Sequence, residues 1–384
     1  MLTSNIKFKN FKKKIKNLRT AKYLKEILNE NNEILNSLGK SYNNNFYTKS
    51  LNKYKKNLNF RVIGMGGSSL GTKAIYNFLK SKIKKNFQFI DNLQSNNYKK
   101  SKKNFTNLVV SKSGNTLETI INANILIKKK DKNIFITENK KNYLRILAGQ
   151  LKADIIDHNN FIGGRYSVLS EVGMLPAELM GLNSKNFRQY NSLIKNKKFI
   201  NYLINNVAST IYFVKKKKFN SVIINYDERS ENLFKWYQQL ISESLGKGNK
   251  GLLPIVSNMP KDNHSVMQLY LDGFKNNFYT FFIVNEKNSE KIKNKNILNS
   301  HNFLKNKKIS EILYAQKNAT ETVFNKKNLP FRSFEIKERN EKTLGELFCF
   351  FILETILLGR SLKVNPFDQP AVELIKTETR KNLI

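Results

Sequence analysis

The chain has 384 residues, 40% of them hydrophobic, and a formal net charge of +39. That length exceeds one ordinary core and suits two domains, and the single cysteine, Cys349, excludes an intramolecular disulfide framework and a cysteine-based zinc site. The charge invites a nucleic-acid reading. Against it, the lysines scatter through nearly every loop among many Asn, Ile and Phe, with no arginine-rich arm and no zinc or helix-turn-helix signature. An AT-rich coding bias that turns solvated Arg and Gln positions into Lys and Asn accounts for them better than a dedicated nucleic-acid surface. A general positive field would still draw in anionic substrates.

The first residues, MLTSNIKFKNFKKKIKN, contain no apolar core and do not read as a secretory signal. The cysteine usage fits a reducing cytoplasm. Residues 1–55 are polar with helical spacing at Leu24, Ile27, Leu28, Ile34, Leu35 and Leu38, which predicts surface helices packed on a domain. From Phe60 the texture changes. FRVIGM is a short apolar run ending in glycine, followed by the helical SLGTKAIYNFLKSKI. A strand at 108–110, a polar loop at 111–115 and a helix from about Thr116 repeat the plan, and NIFITEN (133–139) with NYLRILAGQL adds a third unit. Strand, loop and helix in succession argue for a parallel sheet covered by helices.

The pattern then restarts with strands at FNSVIINYDE (219–228), LLPIVSN and NFYTFFIVNEK and helices at NLFKWYQQLISESLGK and HSVMQLYLDGF. The reading is therefore α/β, with two three-layer α/β/α halves at 56–190 and 215–335 between helical segments at 1–55 and 336–384. Within the last of these, LFCFFILETILLG (347–359) is interrupted by Glu354 and is too short to span a bilayer; it reads as a buried helix.

Two loops carry the chemical signal. GMGGSSLG follows the first strand, where ligands bind in open parallel sheets. Its glycines permit a tight turn, the following helix points its positive end there, and Ser68 and Ser69 add hydroxyls. The dinucleotide fingerprint fails because its third glycine would fall at Ser69, and the nucleotide P-loop fails because Thr72 precedes Lys73. By itself the loop fits a plain glycine turn equally well. SKSGNT (111–116) breaks the tie: Ser111, Ser113 and Thr116 offer hydroxyls, Lys112 a charge and Gly114 a permissive backbone. Hydroxyls and amides at a helix start hold a phosphomonoester without metal. Two serine-rich loops on neighbouring strands suggest one pocket for a sugar phosphate rather than a nucleotide.

At this point the chain resembles the phosphoglucose isomerase family. The likeness rests on GMGGSSLG, SKSGNTLET, GGRYSVLSEVGMLPAELMG (163–181), SESLGK (242–247), DNHSVMQLYLDG (262–273) and DQPAVELIK (368–376), six blocks in the family's order. The resemblance implies sugar-isomerase-type domains and reversible conversion of glucose 6-phosphate and fructose 6-phosphate, with no metal, redox or nucleotide cofactor. It also implies roles. Ser68 contacts the phosphate or a nearby hydroxyl, and Ser111, Lys112, Ser113 and Thr116 cradle the phosphate. Gln369 holds the phosphate end or positions the sugar.

Arg165 stabilises the negative charge that builds on oxygen as a carbon-bound proton leaves. Glu243 is the base that moves the proton between C1 and C2 of a cis-enediol. His264 assists ring opening from the other subunit of a homodimer, work suited to a group titrating near neutrality, and Lys376 contacts the ring oxygen. Taken singly, each has a plainer reading: a loop arginine in an ion pair, a helix-surface glutamate, a histidine near the capping residues Asp262 and Asn263, one lysine among dozens.

The chain departs from the family pattern at Leu245, Asn263, Ala371 and Ile375. The last two stand where glycine is common, so a positive φ there would strain the segment carrying Lys376. A non-catalytic sugar-phosphate sensor is the competing class; it would keep the serine loops but has no need of Arg165, Glu243, His264 and Lys376 together. A nucleic-acid binder is the third. Acceptance of mannose 6-phosphate also stays open, since only C2 stereochemistry separates the substrates.

Overall fold

A computed structural model describes residues 1–13, 15–95, 104–128 and 130–384; Lys14, inside the first stretch quoted above, falls outside it. Among the described residues, ten strands form two five-stranded sheets. The first contains β2 (Asn59–Ile63), β3 (Asn86–Ile90), β4 (Thr106–Val110), β5 (Lys132–Thr137) and β6 (Asp154–Asp157), in the order β3-β2-β4-β5-β6. All its pairings are parallel. The β4 residues are all buried, as expected of a central strand covered by helices on both faces. The neighbours β2 and β4 run in register from Phe60↔Thr106 to Ile63↔Val109, so both serine-rich loops leave the same edge of the sheet side by side.

The second sheet contains β7 (Asn220–Asn225), β8 (Leu253–Asn258), β9 (Asn277–Val284) and β10 (Phe331–Ile336), parallel to one another, and β1 (Ile6–Lys9), antiparallel at the edge. The full order is β1-β10-β9-β7-β8. The presence of β1 corrects the wholly helical reading of residues 1–55. IKFK alternates, with Ile6 and Phe8 buried, while Lys7 points outward to Glu335 at 2.8 Å. The lysine-rich surroundings hid that two-residue period. Strands β3, β6 and β10 add to the expected set; β6 is four residues with an aspartate at each end, and β10 is interrupted by Arg332 and Glu335.

The run around Cys349 is a buried helix, Glu341–Leu362, packed in the main core with residues of both sheets. Burial pushes the Cys349 thiol up to about 12, which makes it a packing residue rather than a nucleophile. Among the described residues no helix is long and apolar enough to cross a membrane. Glu354, the charge inside this apolar run, is buried against Arg332 of β10, which is equally buried. Around the pair, the Arg332 guanidinium also donates to Asn206 Oδ1 (2.7 Å) and Thr280 Oγ1 (2.9 Å), and Tyr237 OH donates to Glu354 Oε2 (3.2 Å). Tyr237 lies on the Glu231–Leu245 helix, so the network ties that helix to the core.

Breaking a buried pair strands an uncompensated charge, which costs about 3–5 kcal/mol, whereas replacing both partners by apolar groups is often nearly neutral. Glu354→Leu should therefore lower the unfolding free energy by about 3–5 kcal/mol, and Arg332→Met/Glu354→Leu should recover most of it. Urea unfolding of the three proteins checks this; a double variant as damaged as the single one would show that the ion pair is not the source.

Candidate active site

The Gly163–Leu169 region delivers Arg165 to the interior. Gly164–Leu169 forms a 3-10 turn directly before the Glu171–Met180 helix, and Arg165 is buried. A guanidinium has five N–H donors, and all five are engaged. Nε donates to Ser244 Oγ at 2.8 Å. Nη1 donates to Gln369 Oε1 at 2.7 Å and to Glu243 Oε2 at 3.3 Å. Nη2 donates to the carbonyls of Pro366 (2.7 Å) and Asp368 (3.0 Å). The Arg165 carbonyl in turn accepts from Trp236 Nε1 at 3.1 Å. Three distant stretches of chain, at 165, 236–244 and 366–369, thus meet on one cation.

Glu243 sits in the last turn of the Glu231–Leu245 helix with about a quarter of its side chain exposed. Its second oxygen, Oε1, accepts from Gln239 Nε2 at 2.9 Å, one helical turn earlier on the same face. Glu243 and Gln239 line an open cleft with Leu70 and Lys73 of the helix that follows the first serine loop. A carboxylate oriented through both oxygens, beside a fixed cation and open to a cleft, is equipped to take and return a proton.

The first serine loop touches this centre through backbone. A Cβ on Gly67 would lie 2.2 Å from the Gly164 carbonyl carbon and 2.5 Å from Arg165 N, so only glycine allows the approach. Ser68, half-buried in the 3-10 turn Gly66–Ser68, has a side chain without a hydrogen-bond partner among the described residues. In the second loop Ser111 is buried and its hydroxyl shares a 2.8 Å hydrogen bond with Thr116, the residue directly before the Leu117–Leu126 helix. Ser113 is exposed, its Oγ accepting from Asn115 N at 3.3 Å. Lys112 Nζ turns to the Asn160 carbonyl (2.7 Å) and Glu138 (3.5 Å). Gly114, at φ +66, holds the loop against Asn142; a Cβ there would lie 2.0 Å from Asn142 Oδ1.

Two expected residues stay apart from this cluster within the chain. His264 is exposed at the end of the 3-10 turn Lys261–His264 that follows β8. Lys376 lies on the Val372–Leu383 helix, which buries none of its residues, and pairs with Glu373 at 2.6 Å. Neither is hydrogen-bonded to Arg165 or Glu243. The strain considered for Ala371 and Ile375 does not arise: Ala371 is right-handed helical (φ −64, ψ −29) and Ile375 lies inside the helix. Among the described residues no group of three or more His, Cys, Asp or Glu is placed to hold a metal.

The sequence reading missed Gln239, Ser244 and the carbonyls of Pro366 and Asp368. Gln239 had a legible signal, its four-residue spacing from Glu243. Backbone carbonyls have none.

A family model described as phosphoglucose isomerase matches residues 25–382. A protein of Methanocaldococcus jannaschii named glucose-6-phosphate isomerase is 33% identical over 344 residues, covering 85% of this chain and 83% of its own. One of Methanococcus maripaludis, named a probable glucose-6-phosphate isomerase, is 30% identical and covers 84% and 78%. In fold the chain is similar to a hypothetical protein of Thermus thermophilus, with a TM-score of 0.82, 23% identity and 95% and 94% of the two chains covered. A glucose-6-phosphate isomerase of Chlamydia trachomatis gives a TM-score of 0.68, with 18% identity and coverage of 95% and 78%.

The contact of Gly67 with Gly164–Arg165 makes a local prediction. Gly67→Ala should push the two loops apart and lower catalytic turnover by at least about tenfold while sparing far-UV circular dichroism. Turnover unchanged from wild type would mean that the approach has no bearing on the site.

Proposed function

Since the chain belongs to the phosphoglucose isomerase family, we propose that it interconverts glucose 6-phosphate and fructose 6-phosphate through a cis-enediolate. The observation that carries this reading is the meeting of Arg165, Glu243 and Gln369, with Nη1 of one guanidinium 3.3 Å from the carboxylate and 2.7 Å from the amide. Glu243 is the base that carries the proton between C1 and C2. One carboxylate serves both carbons because a cis-enediol keeps them on one face.

Arg165 acts mainly as a fixed charge. Its donors are already committed, and the 3.3 Å bond to Glu243 is the longest of the five, hence the one an enediolate oxygen can displace at least cost. A preorganised cation in a site shielded from water opposes developing negative charge without reorganising. Ser111, Ser113, Thr116 and Lys112 hold the phosphate, with Ser68 beside it; Gln369 positions the sugar. A non-catalytic sugar-phosphate binder would have no use for a carboxylate pinned against a buried cation.

Ring opening falls to His264 and Lys376. Both are exposed on the isolated chain, which suits a homodimer in which His264 is supplied across the interface. The enzyme of this reading works in the cytoplasm on a hexose 6-phosphate.

In a coupled assay of fructose 6-phosphate conversion, Glu243→Gln should lose roughly 10²–10⁴ in turnover while retaining sugar-phosphate binding by calorimetry. Equal activity in both proteins would remove Glu243 from its role. Mixing the inactive His264→Ala and Glu243→Gln chains should restore part of the activity, because half of the mixed sites would combine intact groups. No rescue after verified subunit exchange would argue for self-contained sites.

A further inference from the structure

A second cavity of about 690 Å³ opens where β7, β9 and β10 begin, at the edge of the second sheet opposite the turn that carries His264. Its floor is apolar, with Phe11, Phe213, Leu329 and Phe331. Around it stand Lys12, Lys13, Lys216, Lys218, Lys275 and Lys327. Six of its fourteen lining residues are lysine, and the apolar floor beneath them offers no counter-charge.

Local negative charge does not balance them either. The helices Lys197–Lys215 and Ile309–Lys326 end at this cavity, and each C-terminus offers about −0.5 charge. The lining contains no Asp or Glu, and the one carboxylate within 4 Å of these six ammonium groups among the described residues is Asp272, 3.8 Å from Lys327 Nζ. Lys13 spends a donor on Tyr212 OH at 2.7 Å and Lys218 donates to the Lys275 carbonyl, neither of which carries a full negative charge. Burial, with the nearby Lys275 adding to it, holds the Lys218 ammonium below its ordinary pKa.

We propose that this cavity is a binding site for a nucleoside triphosphate, with the phosphates among the lysines and the base against Tyr212 and Phe331. Several uncompensated cations exceed what one phosphomonoester needs. The aromatic floor gives a purely inorganic polyanion nothing to contact, and bases stack well on such rings. The volume lies within the range of about 300–1,000 Å³ usual for small-ligand sites. The site is separate from the Arg165–Glu243 centre and shares no lining residue with the cleft at Glu243.

The test is calorimetric titration of the full chain with ATP at about 0.15 M salt, with fructose 6-phosphate saturating. Saturable binding is expected. Lys218→Glu/Lys275→Glu should weaken it by at least about tenfold with isomerase turnover unchanged, and Lys55→Glu/Lys56→Glu, on the other half of the chain, should leave it unchanged. Should the double reversal fail to fold by circular dichroism, Lys13→Gln/Lys275→Gln should show a weakening in the same direction. Equal loss in the control pair, displacement of ATP by the sugar phosphate, or inorganic tripolyphosphate binding as tightly as ATP would each overturn the proposal. So would a single-stranded oligonucleotide that binds more tightly than ATP with a steep salt dependence.

Discussion

The buried guanidinium of Arg165 is the constraint around which the site is built. A cation taken out of water is tolerated only when its donors are met, and here five acceptors from the 236–244 and 366–369 stretches meet them. That requirement forces the Glu231–Leu245 helix and the segment before the terminal helix into one place. Once they are there, Glu243 has a fixed direction and Gln239, a turn away, holds its other oxygen. The charge that would be a liability in the core becomes the device that assembles the carboxylate.

The two sheets supply rigidity from either side. Parallel pairing of β2 with β4 brings both serine loops to a common edge, and the bare backbone of Gly67 lets the first of them lie directly against Gly164 and Arg165. From the other side, Trp236 reaches the Arg165 carbonyl while its neighbour Tyr237 is fastened to Glu354. The helix bearing Glu243 is therefore held through one residue to the backbone of Arg165 and through the next to a buried ion pair in the core. Positioning of this kind converts a helix-surface glutamate into a group with a defined reach.

The same chain shows how charge is handled under a heavy lysine load. Where Lys317 is fully buried, two carboxylates, Glu321 and Glu335, each lie 2.7 Å away. Where lysines are exposed, water does the work. The cavity beside Phe213 gathers six lysines, five of them exposed and Lys218 half-buried, over apolar side chains with little negative charge beside them. The exposed terminal helix is a different matter: Lys376 has a partner on its own helix, Glu373, and this chain offers it no packing surface.

Several features were decided by local sequence. The alternation of apolar strands, glycine-bearing loops and periodic helices specified a parallel α/β plan, because each period buries one face and those faces must be covered. SKSGNT and GMGGSSLG placed hydroxyls at helix starts by composition alone, whereas Arg165 was singled out only by the family resemblance of the stretch around it. Only the tertiary structure decided the rest. The strand Ile6–Lys9 pairs with Phe331–Ile336 across more than three hundred residues, and no local pattern encodes a partner that distant. Glu354 looked like an interruption until Arg332 arrived from another strand. The carbonyls of Pro366 and Asp368 bind Arg165 through backbone atoms that every residue possesses, so their selection lies in how the chain is folded rather than in which side chains it carries.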